Sequence, residues 1–403
     1  MNKTKNYVIE SVVLFMILFL ANSFVVCNDI VSSFITIALW VISFAVIVIG
    51  PPKKIKGNTL LGIFIIILSG LITVIIKNED IVTFGMVMFS YLVSLLYVAR
   101  TDFKSFCNQY SEIMHWLCVI SLVGFIAYNI FPVLYNINQV TTYTTYSNLF
   151  LYVDTQKYNR NIGMFWEPGA FQTFINIALL IELSKEEAKC NYKRVVVYII
   201  TIITTYSTTG YITMMLILLT LFFKRSKSNS MKKFVLFLTV ALLLALYFGQ
   251  DYLFGKVLNN GQSTVFGKIA NYMSGGQVQS VSVRYYAITK PIEAFFKSPI
   301  IGNGRNGLAK ELYYYTNGMN TCTFINWFAI YGVLYGAIML WGTFNFSRKL
   351  SNNNKLLFFW YLLILFVTTM SETYVDNPML LVFILYGIEE KGIKQKEDYK
   401  KAE

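Results

Sequence analysis

Residues 59–76 read Thr59-Leu-Leu-Gly-Ile-Phe-Ile-Ile-Ile-Leu-Ser-Gly-Leu-Ile-Thr-Val-Ile-Ile76, with no charged side chain between the flanking Lys56 and Lys77. A helix that crosses a bilayer needs roughly 20 consecutive, mostly apolar residues, and this block comes close to that length. Comparable blocks recur at 7–26, 30–49, 81–99, 113–131, 169–183, 195–205, 211–223, 234–248, 323–346, 356–370 and 378–388. They predict an all-α, polytopic transmembrane bundle of about twelve spans, with residues 1–403 forming one integral membrane domain. Short alternating segments of the β-barrel kind are absent. The composition agrees: 56% of residues are hydrophobic and only 14% charged, so charge has been displaced by Leu, Ile, Phe and Tyr. The first block follows Lys3 and Lys5 but is too long for a signal-peptide core, so it reads as an uncleaved first helix.

The net charge of +13 belongs to topology rather than to nucleic acid. Most of the 34 Lys and Arg residues sit in alternate short connections and in the tail 389–403, which places that side and both termini in the cytoplasm. Blocks 195–205 and 211–223 share basic flanks, Lys193-Arg194 and Lys224-Arg225, so the chain must cross twice or not at all. Ser207-Thr208-Thr209-Gly210 supplies the turn. A break of this kind survives in a membrane only where protein or a watery cavity satisfies the freed backbone. Two long polar connections, 132–168 and 249–322, then face outside, and the second contains an amphipathic segment from Arg284 to Lys297 suited to a membrane surface. The five cysteines have no metal or redox spacing, and the only histidine, His115, reads as a core or interface residue.

Three outer clusters hold the candidate chemistry. Arg160 to Gly169 ends the first outer connection, with Trp166 as an interfacial aromatic, Glu167 at a helix mouth and Pro168 in its first turn. Arg284 is followed by Ser298-Pro299-Ile300-Ile301-Gly302-Asn303-Gly304-Arg305-Asn306-Gly307. The glycine spacing imitates a dinucleotide fingerprint without its strand–turn–helix setting, and reads as tight turns beside Arg305. Asn320-Thr321-Cys322-Thr323 opens the next span. Fixed guanidinium forks suit phosphate.

At these residues the sequence resembles the O-antigen polymerase and ligase superfamily of bacterial polysaccharide membrane enzymes. The resemblance is carried by Arg160, Gly163 and Glu167-Pro168-Gly169, by Tyr206-Ser207-Thr208-Thr209-Gly210-Tyr211, and by Arg284 with Pro299-Ile300-Ile301-Gly302-x-Gly304. Asn320 and Asn326 before Gly332 and Gly336 complete it. Ligases of the superfamily typically carry a His near the end of the large outer loop, where this chain has Asn320-Thr321-Cys322-Thr323. That departure favours polymerase. The resemblance implies a metal-independent, cofactor-free glycosyltransferase of the bacterial plasma membrane. It would move a growing glycan from undecaprenyl pyrophosphate to a lipid-linked repeat unit on the outer face. It implies catalytic roles for Arg160, Glu167 and Arg284, and substrate contacts for Arg305, Asn320, Tyr285 and Trp166. Its expected partners are lipid-linked oligosaccharides, membrane lipids, a chain-length regulator and a flippase, with no nucleic acid. The rival readings are a ligase, a lipid-linked oligosaccharide flippase and a non-catalytic scaffold. A transporter should bury ionisable groups near the membrane midplane, whereas these spans are nearly free of charge.

Overall fold

The computed structural model describes residues 2–27, 31–49, 55–131, 133, 139–141, 145–147, 152–154, 160–225, 279–316, 321–370 and 372–389. The helices are α1 (Asn2–Asn22), α2 (Phe24–Cys27), α3 (Ser33–Val48), α4 (Gly57–Ile76), α5 (Ile81–Arg100), α6 (Phe103–Ile130) and α7 (Pro168–Ser184). They continue with α8 (Tyr192–Thr204), α9 (Thr208–Arg225), α10 (Gln279–Lys297), α11 (Gly304–Thr316), α12 (Thr323–Leu350), α13 (Lys355–Thr369) and α14 (Pro378–Ile388). Four of them, α4, α5, α6 and α12, are long and apolar enough to cross a membrane. Shorter apolar helices occupy Asn6–Asn22, Ser33–Val48, Thr208–Thr220, Lys355–Thr369 and Pro378–Ile388. The expected span 234–248 lies outside the described residues. The count of about twelve is therefore matched by four spans of full length.

Burial sorts these helices into a core and a shell. In α7 every residue from Ala170 to Ser184 is buried, and in α14 every residue from Pro378 to Ile388. A helix buried on all sides belongs inside the bundle. At 11 residues α14 rises only about 17 Å, short of a bilayer core of about 30 Å. Around them the shell points large apolar side chains outward, among them Phe64 on α4, Val82 on α5, Val123 on α6 and Phe359 on α13. An apolar exterior of this extent is what lipid covers.

The first outer connection departs from the all-α expectation. It folds as an antiparallel meander of four short strands in order, β1 (Gln139–Thr141), β2 (Thr145–Ser147), β3 (Tyr152–Asp154) and β4 (Arg160–Gly163). β-Branched and aromatic residues favour such pairing, but strands of three or four residues are too short to show an alternating pattern in sequence.

Both helix breaks are satisfied by protein. The first falls at Thr205-Tyr206-Ser207, slightly before the expected four residues, and Gly210 lies within α9. The Asn191 N–H donates to Glu182 Oε1 at 2.7 Å, and Lys224 Nζ donates to the carbonyls of Leu183, Ser184 and Lys185. The start of α8 and the end of α9 thus meet the same end of α7, so the pair turns back on itself as the basic flanks require. The second break lies inside α12, where Gly332 has φ 80° and ψ −177°. The turn at 299–303 docks into this gap. The Val333 N–H donates to the Pro299 carbonyl and the Asn303 N–H to the Ala329 carbonyl, both at 2.8 Å.

Candidate active site

One end of the bundle gathers the polar connections that the sequence places outside. Strand β4 delivers Arg160 to the first helix break. Its Nε donates to the Thr205 carbonyl at 2.9 Å and its Nη2 to the Tyr206 carbonyl at 3.2 Å. These are carbonyls that a continuous helix would have used internally. Asn161 anchors the strand: its Nδ2 donates to Ser121 Oγ and Thr204 Oγ1, and its Oδ1 accepts from the Gly163 N–H. Gly163, at φ 53°, lets the chain turn under the Phe171 ring, which a Cβ would meet at 2.9 Å. The motif from Arg160 to Gly163 is a strand that fixes one guanidinium in a broken helix.

Glu167 follows at the N-cap of α7 with an extended backbone, Pro168 supplying the first helical position. Its side chain does not cap the helix. Its Oε1 is buried and meets no hydrogen-bond partner among the described residues. A buried acceptor in that condition is costly unless function uses it. A second carboxylate stands beside it. A Cβ on Gly169 would meet Glu372 Oε1 at 2.5 Å and Glu167 Oε1 at 3.2 Å, so the glycine makes room for both. Glu372 is held from α12, where Thr323 Oγ1 donates to the Glu372 carbonyl and accepts from the Tyr374 N–H, each at 2.9 Å. The Tyr374 ring lies beside Trp166, tilted by 59° with ring centroids 5.8 Å apart. Burial pushes its hydroxyl far above the usual range, and the Glu372 and Glu167 carboxylates push the same way.

The same connection carries a second cluster four residues later. Asp376 Oδ2 lies 2.5 Å from Arg305 Nη2, Arg305 Nε donates to Tyr331 Oη at 3.1 Å, and Tyr331 Oη donates to Asp376 Oδ1 at 2.9 Å. Burial pushes the Asp376 carboxyl up, with Arg305 pulling against it. Gly302 and Gly304, at φ 81° and 73°, set Arg305 at the start of α11. The expectation of tight turns there is met, and the turn docks α11 on α12. A cleft of about 200 Å³ opens between α11 and the α4–α5 turn, lined by Glu79, Asp80, Arg305, Asn306 and Tyr331 among others.

Arg160, Trp166 and Glu167 thus lie close together along the chain at this end, and Arg305 sits in the adjoining cluster. Arg284 is on α10, but its side chain is outside the described residues, as is the whole of Asn320. Tyr285 is 62% exposed on α10 and belongs to neither cluster. Sequence reasoning missed Glu372, Tyr374, Asp376 and Tyr331. The signal for the first three was present in 371–378, Ser-Glu-Thr-Tyr-Val-Asp-Asn-Pro, a short connection with two acidic residues between apolar spans. Tyr331 had none, being one aromatic among many in a span. Among the described residues, no group of His, Cys, Asp and Glu is arranged to hold a metal ion.

Ionisable groups are also buried at the opposite end. Arg100 Nε lies 3.9 Å from Glu10 Oε1, and Lys185 Nζ lies 2.7 Å from Glu182 Oε2. Arg100 closes α5, and Glu182 is in the last turn of α7. The spans are therefore less empty of charge than the sequence suggested, with Arg100 and Glu182 at helix ends.

No curated protein and no solved structure matches the chain. Residues 195–334 match the family model of the O-antigen ligases. That range runs from α8 through both helix breaks and includes Arg305 and Tyr331, while Arg160, Glu167, Glu372 and Asp376 lie outside it. The match, the membrane-length helices and this polar end together support an O-antigen ligase- or polymerase-type membrane enzyme, and the chain is similar to the superfamily that contains both.

Proposed function

We propose that this chain is a polysaccharide repeat-unit polymerase acting on the outer face of a bacterial plasma membrane. The donor is a growing glycan on undecaprenyl pyrophosphate, and the acceptor is one lipid-linked repeat unit. The observation that carries the reading is the presence, at one bundle end, of a guanidinium fixed by helix-break carbonyls and of Glu167, whose Oε1 is buried with no hydrogen-bond partner among the described residues. In the reaction the acceptor hydroxyl forms a bond to the anomeric carbon as the bond to pyrophosphate breaks. The electron pair leaves with undecaprenyl pyrophosphate, and Glu167 takes the hydroxyl proton. In this reading Arg160 and Arg284 stabilise the charge that grows on the leaving group. One such preset contact contributes about 2–4 kcal/mol to the transition state. A single displacement of this kind inverts the anomeric centre.

The family description favours a ligase as the second reading. Against it, the only histidine of the chain is His115, on α6 rather than near the end of the second outer connection. A flippase fits less well, because Arg100 and Glu182, two of the buried ionisable groups, lie at helix ends rather than at the midplane. The chain-length regulator and the flippase expected as partners belong to this proposal.

The test is the length distribution of surface glycan from cells deleted for the gene and complemented with wild type, Arg160→Ala or Glu167→Gln. Single-unit glycan in the deletion, with the ladder restored by wild type alone, is the expected result. Long polymer stranded on the lipid carrier would identify a ligase. Lipid-linked units accumulating inside would identify a flippase, and an unchanged ladder would remove the enzymatic reading altogether.

A further inference from the structure

Arg305 is read from sequence as a phosphate-binding fork, yet its surroundings do not suit an anion. Its guanidinium is in an ion pair with Asp376 and is held by Tyr331. Two further carboxylates, Glu79 and Asp80, line the same cleft. The Thr83 hydroxyl and the Val82 N–H bond to Asp80 and hold its carboxyl below its usual range, so it is charged at neutral pH. The guanidinium is thus already matched by Asp376, and the cleft adds two further carboxylates, so a pyrophosphate brought here would meet net like charge. The N-terminus of α11, the other feature that attracts anions, is already in use: the Asn306 N–H donates to Glu79 Oε1 at 2.9 Å.

What the cleft offers instead is a dense mixture of neutral and charged donors and acceptors around a space of about 200 Å³, the scale of one pyranose ring. Arg305 keeps part of its fork exposed, the Asn306 side chain is exposed, and Glu79 has its second oxygen available. Hydroxyl groups that both donate and accept are the complement of such a set. The cleft is also tied to the chemistry. Glu372 stands at Glu167 and Asp376 at Arg305, and a four-residue step cannot separate their Cα atoms by more than about 14 Å. A short oligosaccharide bridges that gap.

We propose that this cleft is the subsite for an uncharged sugar of the acceptor repeat unit, and that Arg305 recognises sugar hydroxyls rather than pyrophosphate. The inference rests on the polymerase reading and adds to it where the acceptor is gripped. It is tested with the full chain in lipid nanodiscs, supplied with lipid-linked repeat units extracted from cells lacking the gene, and with inorganic pyrophosphate as inhibitor. Asn306→Trp, and Thr83→Trp on the facing wall, fill the cleft from exposed positions. Each raises KM for the repeat unit about tenfold or more while the inhibition constant of pyrophosphate moves less than about twofold. Arg305→Gln likewise leaves pyrophosphate inhibition in place, whereas Arg160→Gln weakens it about tenfold. The proposal is overturned if Arg305→Gln weakens pyrophosphate inhibition as much as Arg160→Gln does. It is equally overturned if both filling variants, monodisperse on size exclusion, keep the wild-type KM. If the wild-type chain itself makes no polymer from these units, the polymerase reading fails, and that result is distinct from a failure of the cleft.

Discussion

At the scale of single residues, Gly332 shows how much one position can decide. It breaks a 28-residue helix at φ 80°, and a Cβ there would lie 2.1 Å from the Ile300 carbonyl oxygen. Its counterpart Gly302 faces it, with a Cβ that would lie 2.2 Å from the Ile330 carbonyl oxygen. Two backbones approach here closer than any side chain permits, because the docked turn supplies the hydrogen bonds that the broken helix lost. Gly332→Ala should therefore cost about 2–3 kcal/mol or more, combining left-handed strain with backbone collision. It should lower the thermal midpoint in detergent, while Gly57→Ala, where a Cβ meets nothing within 4 Å, should not. The string from Pro299 to Gly304 was visible in sequence as turns. That its partner is Gly332 was not, because nothing local marks a glycine in a span as the site of a break.

Among elements, the helix caps connect the fold to pH. Asp80 caps α5, its Oδ1 accepting from the Val82 N–H at 2.9 Å and its Oδ2 from the Thr83 hydroxyl at 2.5 Å. Those bonds hold the carboxyl below its unfolded value of about 3.9. The stability they contribute is present above that value and is lost as pH falls through the lower folded one. Asp80→Asn keeps a capping oxygen without the titration. Thermal midpoints measured from pH 7 down to pH 3 should converge for the two proteins at the acid end, with wild type falling more steeply. A constant difference across the range would show that the charge plays no part. The α8–α9 hairpin was legible from its basic flanks, because like-signed ends constrain the number of crossings wherever the turn falls. The β1–β4 meander was not, since strands of three and four residues carry no period.

At the scale of the whole molecule, orientation is open to direct measurement with the protein's own thiols. Cys27 is exposed on α2, whose neighbour Ser23 pairs with Phe165, so it belongs to the end that holds Glu167. Cys190 is half-buried between α7 and α8, at the opposite end. A membrane-impermeant maleimide applied to spheroplasts should label Cys27 at once, and Cys190 only after permeabilisation. The reverse order would invert the topology drawn from the basic residues and place the candidate site in the cytoplasm.

The sequence by itself determined that the chain is a helical membrane protein, where most helices run, and that Arg160, Glu167 and Arg305 lie in the polar stretches between apolar blocks. These follow from hydropathy and charge, which act on each segment independently. Only the tertiary structure decided that Arg160 is held by the carbonyls of Thr205 and Tyr206, that Glu372 stands beside Glu167, and that Asp376 occupies the guanidinium of Arg305. Those pairs are 45, 205 and 71 residues apart in the chain. No local pattern encodes such meetings, because they are set by how buried helices such as α7 and α14 pack, and packing is a property of all the segments together.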